Sequence, residues 1–349
     1  MAGRRRAPGS DAGGPGAPGS GASRSGAGDG ASADLAAETA AAEAVLKRLQ
    51  LTITRKLDGL LLGDYLGLLP GPGSEAGESR EYRAGDDVRR MDWAVTARTT
   101  VPHVRQTISD RELETWLCVD LSASLDFGTA RCEKRDLAIA AAAAIGHLTV
   151  RGGNRVGAVV TNGESLKRLA ARPGRMNAHG MLRRVALTPR APAGGTADHA
   201  NYLAEAVDAL NRPPRRRGQA VVISDFLTDD IVQSDSPGEP AWERPLKKLA
   251  VRHDVLAIEI VDPRELSLPA VGVLTVVDPE TGDVHEVSTD AKVRKAYADA
   301  ATTQREAIAG ALRRAGAAHL RLATDSDWLL DIVRFVAAQR RGRSRGTTR

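Results

Sequence analysis

The chain has 349 residues, of which 42% are hydrophobic and 27% charged, a balance typical of a soluble protein with a buried core. Cys118 and Cys132 are the only cysteines, too few for a disulfide framework and consistent with a reducing compartment. No apolar run reaches the roughly 18 residues that a membrane span needs, and no apolar core follows the arginines near the amino terminus. We therefore expect a cytoplasmic protein without a membrane span.

The net charge of +5 lies at the two ends of the chain. Residues 1–33 carry a net charge of +2 and residues 340–349 one of +5, which leaves −2 for residues 34–339. A disordered arginine tail binds polyanions weakly at physiological salt, so we expect solubilising tails and no specific nucleic-acid partner. A nucleic-acid-associated protein that uses these tails is the alternative.

The first part of the chain divides by composition. Residues 1–33 are almost wholly Gly, Ala, Ser, Pro, Arg and Asp, which predicts a disordered leader because so few apolar groups cannot repay the entropy of ordering. Residues 34–110 read as a helix followed by a small β-rich subdomain. Its predicted elements are a helix over 34–50, a strand over 51–55, a Leu-rich stretch over 57–69, turn-like clusters over 74–100 and a strand over 101–106.

From residue 111 to 339 short apolar strands alternate with helices. This rhythm predicts an α/β fold of Rossmann type, with a mostly parallel sheet covered by helices on both faces. A hairpin over 271–287 interrupts it, and residues 340–349 read as a disordered Arg-rich tail. The predicted strands are 115–119, 155–161, 165–170, 219–223, 254–260 and 319–323; the predicted helices are 135–150, 177–186, 199–211, 245–252, 291–315 and 328–339.

Oxygen-bearing side chains follow three of these strands or loops. Asp120, Ser122 and Ser124 follow the first buried strand, Thr196 precedes a helix, and Asp225 follows the strand over 219–223. Ligands bind beyond the carboxyl ends of parallel strands, and hard oxygen ligands suit Mg²⁺, or Mn²⁺, better than zinc or copper. Neutral hydroxyls leave part of the metal's charge uncompensated, so a carboxylate of another protein can fill an open position. The alternative is structural: the serines cap a turn and Asp120 holds a loop.

This constellation resembles the metal-ion-dependent adhesion site of von Willebrand factor A domains. The resemblance rests on Asp120-x-Ser122-x-Ser124 directly after a strand, with Thr196 and Asp225 on later loops. It implies a von Willebrand A-like fold in which Asp120, Ser122, Ser124 and Thr196 ligate the metal and Asp225 does so directly or through water.

An upstream block adds a second resemblance through the residues Arg80-Glu-Tyr82-Arg-Ala-Gly85-Asp86-Asp87-Val-Arg89-Arg-Met-Asp92-Trp93, followed by Ala97-Arg98. It is similar to the signature of the bacterial "domain of unknown function fifty-eight" family, in which such a block precedes a von Willebrand A-like domain. The resemblance covers about residues 51–336 and implies a MoxR-type AAA+ ATPase as partner, in the assembly or maturation of a client protein. Many relatives carry membrane helices before the signature, where this chain has its Gly/Ala leader. The residues of the block that we expect to bind a partner are Arg80, Tyr82, Asp86, Asp87, Arg89, Asp92, Trp93 and Arg98.

Two interpretations of this signature block stay open. Its arginines suit a docking face for acidic partner surfaces. Alternatively, the block is a structural strand–turn–strand in which Asp92-Trp93 staples a turn onto the core.

We expect a non-enzymatic binding module, because no residue near the predicted metal site is an obvious general base. The alternative is a metal-dependent hydrolase acting on phosphate esters, for which Asp126 or Asp229 would have to serve as base or nucleophile. Neither of them has a supporting partner in the sequence pattern.

Overall fold

The computed structural model describes residues 79–82, 88, 91–105, 114–151, 153–191, 202–212, 218–228, 239–277 and 282–346. The predicted leader, the helix over 34–50, the strand over 51–55 and the Leu-rich stretch lie outside these ranges, as do Thr196, Asp86, Asp87, Arg89 and Asp229. In chain order the elements are β1 (Ser79–Glu81), α1 (Trp93–Thr99), β2 (His103–Arg105), β3 (Glu114–Asp120), α2 (Lys134–Arg151), β4 (Arg155–Thr161), β5 (Leu166–Arg172), α3 (Arg175–Ala186), α4 (Tyr202–Asn211), β6 (Gly218–Ser224), α5 (Glu243–Ala250), β7 (His253–Val261), β8 (Val273–Val277), β9 (Val284–Ser288), α6 (Ala291–Arg314), β10 (Ala318–Ala323) and α7 (Trp328–Gly346).

Six of these strands form one sheet in the order β10-β7-β6-β3-β4-β5. β5 is antiparallel to β4, and every other neighbouring pair is parallel. Taken in chain order, the strands lie 3-2-1-4-5-6, the order of a doubly wound α/β sheet. The predicted fold class, a mostly parallel sheet with helices on both faces, is confirmed. The order reverses between β3 and β6, so the topological switch point lies between these two strands.

The core consists of two apolar layers, one on each face of the sheet. Successive β3 residues alternate between them: Leu117 and Val119 pack with α2, α3 and α7, whereas Trp116 and Cys118 pack with α4, α5 and α6. Because helices cover both faces, the four central strands β3, β4, β6 and β7 are buried along almost their whole length. The alanines of α2 are buried, since their small side chains allow this helix to approach the sheet closely.

Gly218 allows β6 to begin beside β3. A Cβ atom at this position would lie 2.1 Å from the carbonyl oxygen of Glu114, far inside van der Waals contact. The glycine therefore permits the β3–β6 pairing that brings the two strand ends of the switch point together.

The amino-terminal part of the described chain differs from its prediction. β1 and β2 form a two-stranded antiparallel sheet, but a helix, α1, connects them where turn-like clusters were expected. The side chain of Asp92 accepts hydrogen bonds from the amide groups of Ala94 and Val95 and so caps this helix. The turn interpretation was wrong because an aspartate that precedes helix-compatible residues serves equally well as an N-cap.

Two further elements complete the comparison with the predicted ones. The hairpin is present as the antiparallel pair β8 and β9. α7 continues to Gly346, beyond its predicted end at residue 339; arginine is a good helix former, and no proline interrupts the segment. Among the described residues, no helix combines the length and the apolar character that crossing a bilayer requires.

Candidate functional site

Two neighbouring parallel strands deliver the two predicted carboxylates to one edge of the sheet. Val119 of β3 is in register with Ile223 of β6, so Asp120 ends β3 next to Ser224, and Asp225 follows directly. Both carboxylates are buried, Asp120 with 6% and Asp225 with 1% of its surface exposed. They lie at the topological switch point, where open α/β sheets bind their ligands.

The loop after β3 brings its two serine hydroxyls close together. The amide of Ser122 donates a hydrogen bond to Oδ1 of Asp120 at 2.9 Å, and the hydroxyl oxygens of Ser122 and Ser124 are 3.2 Å apart. Ser122 flanks a short 3₁₀ turn over Ala123–Leu125 without capping it by its side chain. Asp120 therefore holds the loop, as the structural interpretation expected, while the Ser122 hydroxyl does not serve as a cap.

Serine side chains link the two strand ends. Oδ2 of Asp120 accepts a hydrogen bond from the hydroxyl of Ser224 at 2.7 Å. The hydroxyl of Ser124 helps to lower the pKa of the Asp225 carboxyl. The structure thus brings together four of the five predicted metal ligands, Asp120, Ser122, Ser124 and Asp225, and adds Ser224, which sequence reasoning missed although it precedes Asp225 directly.

The backbone reverses sharply after Asp225. Phe226 has a φ of 58°, a left-handed conformation that bulky residues rarely adopt. Its amide donates to the Ser224 hydroxyl at 3.0 Å, and its ring packs edge-on against Trp242 with 5.2 Å between the centroids. The side chain of Asp225 is held from the same loop by the amide of Leu227 at 3.1 Å. Core packing thus keeps this loop in one conformation.

A buried lysine, also missed by sequence reasoning, neutralises Asp225. Nζ of Lys134, the first residue of α2, donates to Oδ2 of Asp225 at 2.8 Å and also to Glu265. Only 1% of the Lys134 side chain is exposed. The local sequence carries no signal for this role, because a lysine at the start of an Ala-rich helix can equally well be exposed to solvent.

Glu265 belongs to a larger set of ion pairs that centres on the buried side chains of Arg305 and Glu259. The guanidinium of Arg305, on α6, donates to Glu265 at 2.9 Å, to Glu259 at 3.1 Å and to the backbone carbonyl of Asp225 at 3.2 Å. Glu259, on β7, also accepts from His319 at 2.7 Å and from Arg321 at 2.9 Å, both on β10. Arg305 therefore connects the loop of Asp225 to the neighbouring strands.

A third buried carboxylate, Asp262, follows β7 at the same edge of the sheet. It accepts hydrogen bonds from the amide and hydroxyl of Thr129, at 2.8 and 2.5 Å, from the amide of Arg264 at 2.9 Å and from the hydroxyl of Thr324 at 2.7 Å. Burial raises the pKa of Asp262, but these hydrogen bonds lower it to a net value below the ordinary one. Asp262 is therefore satisfied by hydrogen bonds and holds neighbouring loops together.

The two carboxylates at the switch point differ in electrostatics. Burial raises the pKa of Asp120 above its ordinary value, and the negative charge of Asp225 raises it further. Burial also acts to raise the pKa of Asp225, but the Lys134 ammonium together with the amide of Leu227 lowers it to a net value below the ordinary one. For Lys134, burial lowers the pKa, and the carboxylates of Asp225 and Glu265 raise it above the ordinary value. Within the described ranges no cationic side chain pairs with Asp120.

The donor set fits a hard divalent cation on the Asp120 side of the site. Asp120, Ser122 and Ser124 offer oxygens of the kind Mg²⁺ prefers, and a buried carboxylate without a cationic partner favours a positive charge beside it. Asp225 supplies a further oxygen, although Lys134 already neutralises its charge. No cluster of three or more His, Cys, Asp and Glu side chains suited to a metal is found among the described residues, so hydroxyl groups have to complete the set.

The described part of the signature block lies on β1, α1 and the residues beside them. Trp93, at the start of α1, has 70% of its surface exposed, so it does not staple a turn onto the core, which corrects that prediction. Arg98 is exposed and Tyr82 is half-buried. Arg80 lies on β1 and pairs with Val104 of β2. The block thus presents an aromatic ring and a charged side chain at the surface.

Asp126, one of the two bases nominated for a hydrolase, is engaged elsewhere. Oδ1 of Asp126 contacts Arg135 at 3.3 Å and Arg190 at 3.1 Å. Arg135 also donates to the backbone carbonyls of Leu121 and Thr188. These contacts favour a role for Asp126 in holding the loop after β3.

The sequence matches a family model along most of the sheet domain. Residues 78–307 match the family described as "Protein of unknown function DUF58". The chain belongs to this family. The resemblance stated from the signature block is thereby confirmed at the level of the family.

Several mycobacterial proteins are similar in sequence to this DUF58 chain. The chain is 59% identical over 299 residues to "Uncharacterized protein Rv1480" of Mycobacterium tuberculosis strain H37Rv, covering 86% of this chain and 90% of the relative. It is 48% identical over 177 residues to "Uncharacterized protein MAV169" of Mycobacterium avium, covering 51% of this chain and 96% of the relative.

Solved structures are similar to this DUF58 chain at low sequence identity. BatB from Bacteroides thetaiotaomicron, described as a conserved hypothetical protein, has a TM-score of 0.37 and 13% identity, covering 64% of this chain and 99% of that one. The SpRpn10 VWA domain has a TM-score of 0.33 and 12% identity, covering 63% and 93% respectively.

Proposed function

We propose that this protein is a non-enzymatic, metal-dependent binding module of the cytoplasm. It would hold Mg²⁺, or Mn²⁺, at the edge of the sheet and use it to bind an acidic side chain of another protein. The partner we propose is a MoxR-type AAA+ ATPase together with a client protein in complex assembly or maturation, with no specific nucleic acid. The proposed metal residues are Asp120, Ser122, Ser124, Thr196 and Asp225.

One observation carries the proposal: Asp120 is buried at the topological switch point without a cationic partner among the described residues. The cost of such a charge is relieved when a cation binds beside it. Asp120, Ser122 and Ser124 would hold the ion, and a bound divalent ion would supply an open coordination position for a carboxylate. Ser224 and the amide of Ser122 orient Asp120 for this role.

The charge of the surrounding cluster permits an acidic ligand only when the cation is present. With His319 counted as neutral, the cluster carries two negative charges in excess, which disfavour a partner carboxylate. A divalent cation cancels this excess and so removes the repulsion that an incoming carboxylate would meet. The charges counted are those of Asp120, Asp225, Glu259, Asp262 and Glu265 against those of Lys134, Arg305 and Arg321.

The test is a binding experiment with and without the metal. Wild-type protein is immobilised and incubated with native cytosol, and separately with a purified MoxR-type ATPase, in Mg²⁺ and again in EDTA. We expect retention in Mg²⁺ only, and loss of retention for Asp120→Asn, which keeps the size of the side chain. Asp299→Asn, the same change at an exposed position of α6, is the control. Equal retention of the same partners in all samples would contradict the proposal and turn attention to Trp93 and Arg98.

A further inference from the structure

Lys134 is the buried charge at this site that the proposed function does not use. Its ammonium group reaches Asp225 at 2.8 Å and also contacts Glu265, with 1% of the side chain exposed. A lysine is rarely buried this completely unless its charge is matched. The Lys134 ammonium is thus a cation attached to the chain, next to a site that we propose binds a free divalent cation.

The position of the ammonium group is fixed from both ends. The backbone amide of Lys134 donates to the carbonyl of Phe127 at 2.8 Å, which fixes the first turn of α2. Glu265 in turn is held by Arg305 at 2.9 Å and accepts from the amide of Asp262 at 3.1 Å. Contacts of its backbone and of its side-chain partner therefore hold Lys134 in a defined position in the site.

We propose that Lys134 is a positioning residue that acts as a tethered cation of the metal site and sets its affinity. It neutralises Asp225, so that a divalent ion is held mainly by Asp120, Ser122 and Ser124, and more weakly than two free carboxylates would hold it. This inference rests on the proposed metal-binding function and adds the determinant of its strength.

Two physical effects act in the same direction. The ammonium repels a divalent cation that approaches the same carboxylate, and Coulomb repulsion over a few ångströms is substantial at the effective dielectric constant of a protein site. It also occupies a lone pair of Asp225 Oδ2 that a metal or its bound water would use. Because Asp225 is neutralised in advance, its loop keeps its shape when the metal leaves. Metal binding is then weak and reversible, which suits regulated docking.

The test measures Mn²⁺ binding to the full chain by isothermal titration calorimetry and by the electron paramagnetic resonance signal of free Mn²⁺. The variant is Lys134→Met with Glu265→Gln, which removes one positive and one negative charge and leaves the net charge unchanged. The matched control is Lys248→Met with Asp208→Asn, an exposed pair 3.3 Å apart. We expect the first double variant to bind Mn²⁺ about tenfold more tightly than wild type, and the control to bind like wild type.

Further variants locate the ion and guard against misfolding. Adding Asp120→Asn to the first double variant should abolish the gain. Circular dichroism checks that each variant is folded, and Lys134→Gln, which keeps a hydrogen-bond donor near Asp225, replaces the double variant if that does not fold. Lys134→Gln should show the same direction of change, and Lys134→Arg, which keeps the charge, should retain wild-type affinity.

The outcomes separate this inference from the proposed function. Equal or weaker Mn²⁺ binding in the folded charge-removed variants would overturn the role of Lys134 while metal binding stands. Binding by the double variant and not by wild type would support the tethered cation and overturn the metal dependence of the native chain. No binding by either would overturn both.

Discussion

The ends of β3 and β6 place the same residue type at the same edge of the sheet, in different surroundings. Asp225 is matched by the Lys134 ammonium, and its loop is held by Arg305 through the backbone. Asp120 receives hydrogen bonds from Ser224 and Ser122 but pairs with no cation among the described residues. The charge of Asp225 is therefore matched within the protein, whereas no cation among the described residues matches that of Asp120.

The role of an aspartate at the end of a strand therefore depends on the helices and loops that pack against it. α2 contributes the cation for Asp225, whereas threonine hydroxyls and backbone amides satisfy Asp262 two strands away from β3. A motif search treats all such aspartates alike. Only the packing of helices and loops distinguishes a carboxylate whose charge is matched by a cation from one whose charge is not.

The largest loss of stability is expected for removal of Lys134, the cation that matches Asp225. Lys134→Met leaves Asp225 and Glu265 buried without their shared cation, and breaking a buried ion pair from one side costs about 3–5 kcal/mol. We expect the free energy of unfolding to fall by that amount in urea denaturation without divalent ions. Lys248→Met, at an exposed position, should cost less than about 1 kcal/mol. A similarly small loss for Lys134→Met would mean that the ammonium does not stabilise the Asp225 side.

Glu259→Gln should lower the free energy of unfolding in a pH-dependent way. Glu259 pairs with Arg305, which in turn contacts the backbone of Asp225. Burial raises the pKa of Glu259, but hydrogen bonds from His319 and Arg321 and the charge of Arg305 lower it to a net value below the ordinary one. A lowered pKa means that the carboxylate stabilises the fold above its unfolded pKa of about 4.3, and that this contribution is lost as the pH falls through the folded pKa.

Urea denaturation over a pH series measures this contribution. At pH 7 we expect Glu259→Gln to be about 3 kcal/mol less stable than wild type, and the difference to shrink as the pH falls below about 4.3. Glu306→Gln, at an exposed position of α6, should match wild type throughout. A difference that stays constant across the series would show that the charge of Glu259 is not what stabilises the fold.

Addition of Mg²⁺ should stabilise the folded protein by an amount that depends on Asp120. A ligand that binds only the folded state at a free concentration 100 times its dissociation constant stabilises it by about 2.7 kcal/mol. We expect Mg²⁺ to raise the melting temperature of wild type and of Asp299→Asn, and to leave that of Asp120→Asn unchanged. An equal shift in all three proteins would place the bound cation elsewhere.

The smallest effects are expected at α1, where Asp92 is held by hydrogen bonds and its neighbour Trp93 is exposed. Asp92→Ala removes the N-cap and should destabilise the helix by about 1 kcal/mol, seen as faster amide hydrogen exchange in α1. Trp93→Ala should change stability by less than about 0.5 kcal/mol. If Trp93 instead proves important for stability, the tryptophan packs against the protein and is not available for docking.

Much of the fold could be predicted from the sequence because its signals are local. The predicted strand over 115–119 corresponds to Glu114–Asp120, and the predicted helix over 291–315 to Ala291–Arg314. Apolar strands that alternate with helices leave few arrangements other than a sheet covered on both faces. The prediction from local sequence was wrong at Asp92, because aspartate is common both in turns and before helices. Only the backbone hydrogen bonds of the residues that follow show that a helix begins here.

The fold class, the family and the gathering of Asp120, Ser122, Ser124 and Asp225 at one edge of the sheet could be predicted from the sequence alone. The tertiary structure alone decided which of these carboxylates is matched by a cation. Lys134, Glu265 and Arg305 lie far from Asp225 along the chain, and each is an ordinary charged residue in its local context. They meet because α2 and α6 cover opposite faces of the sheet and their charged side chains reach the same edge. Burial at that edge then forces the charges to pair, which no pattern in the sequence encodes.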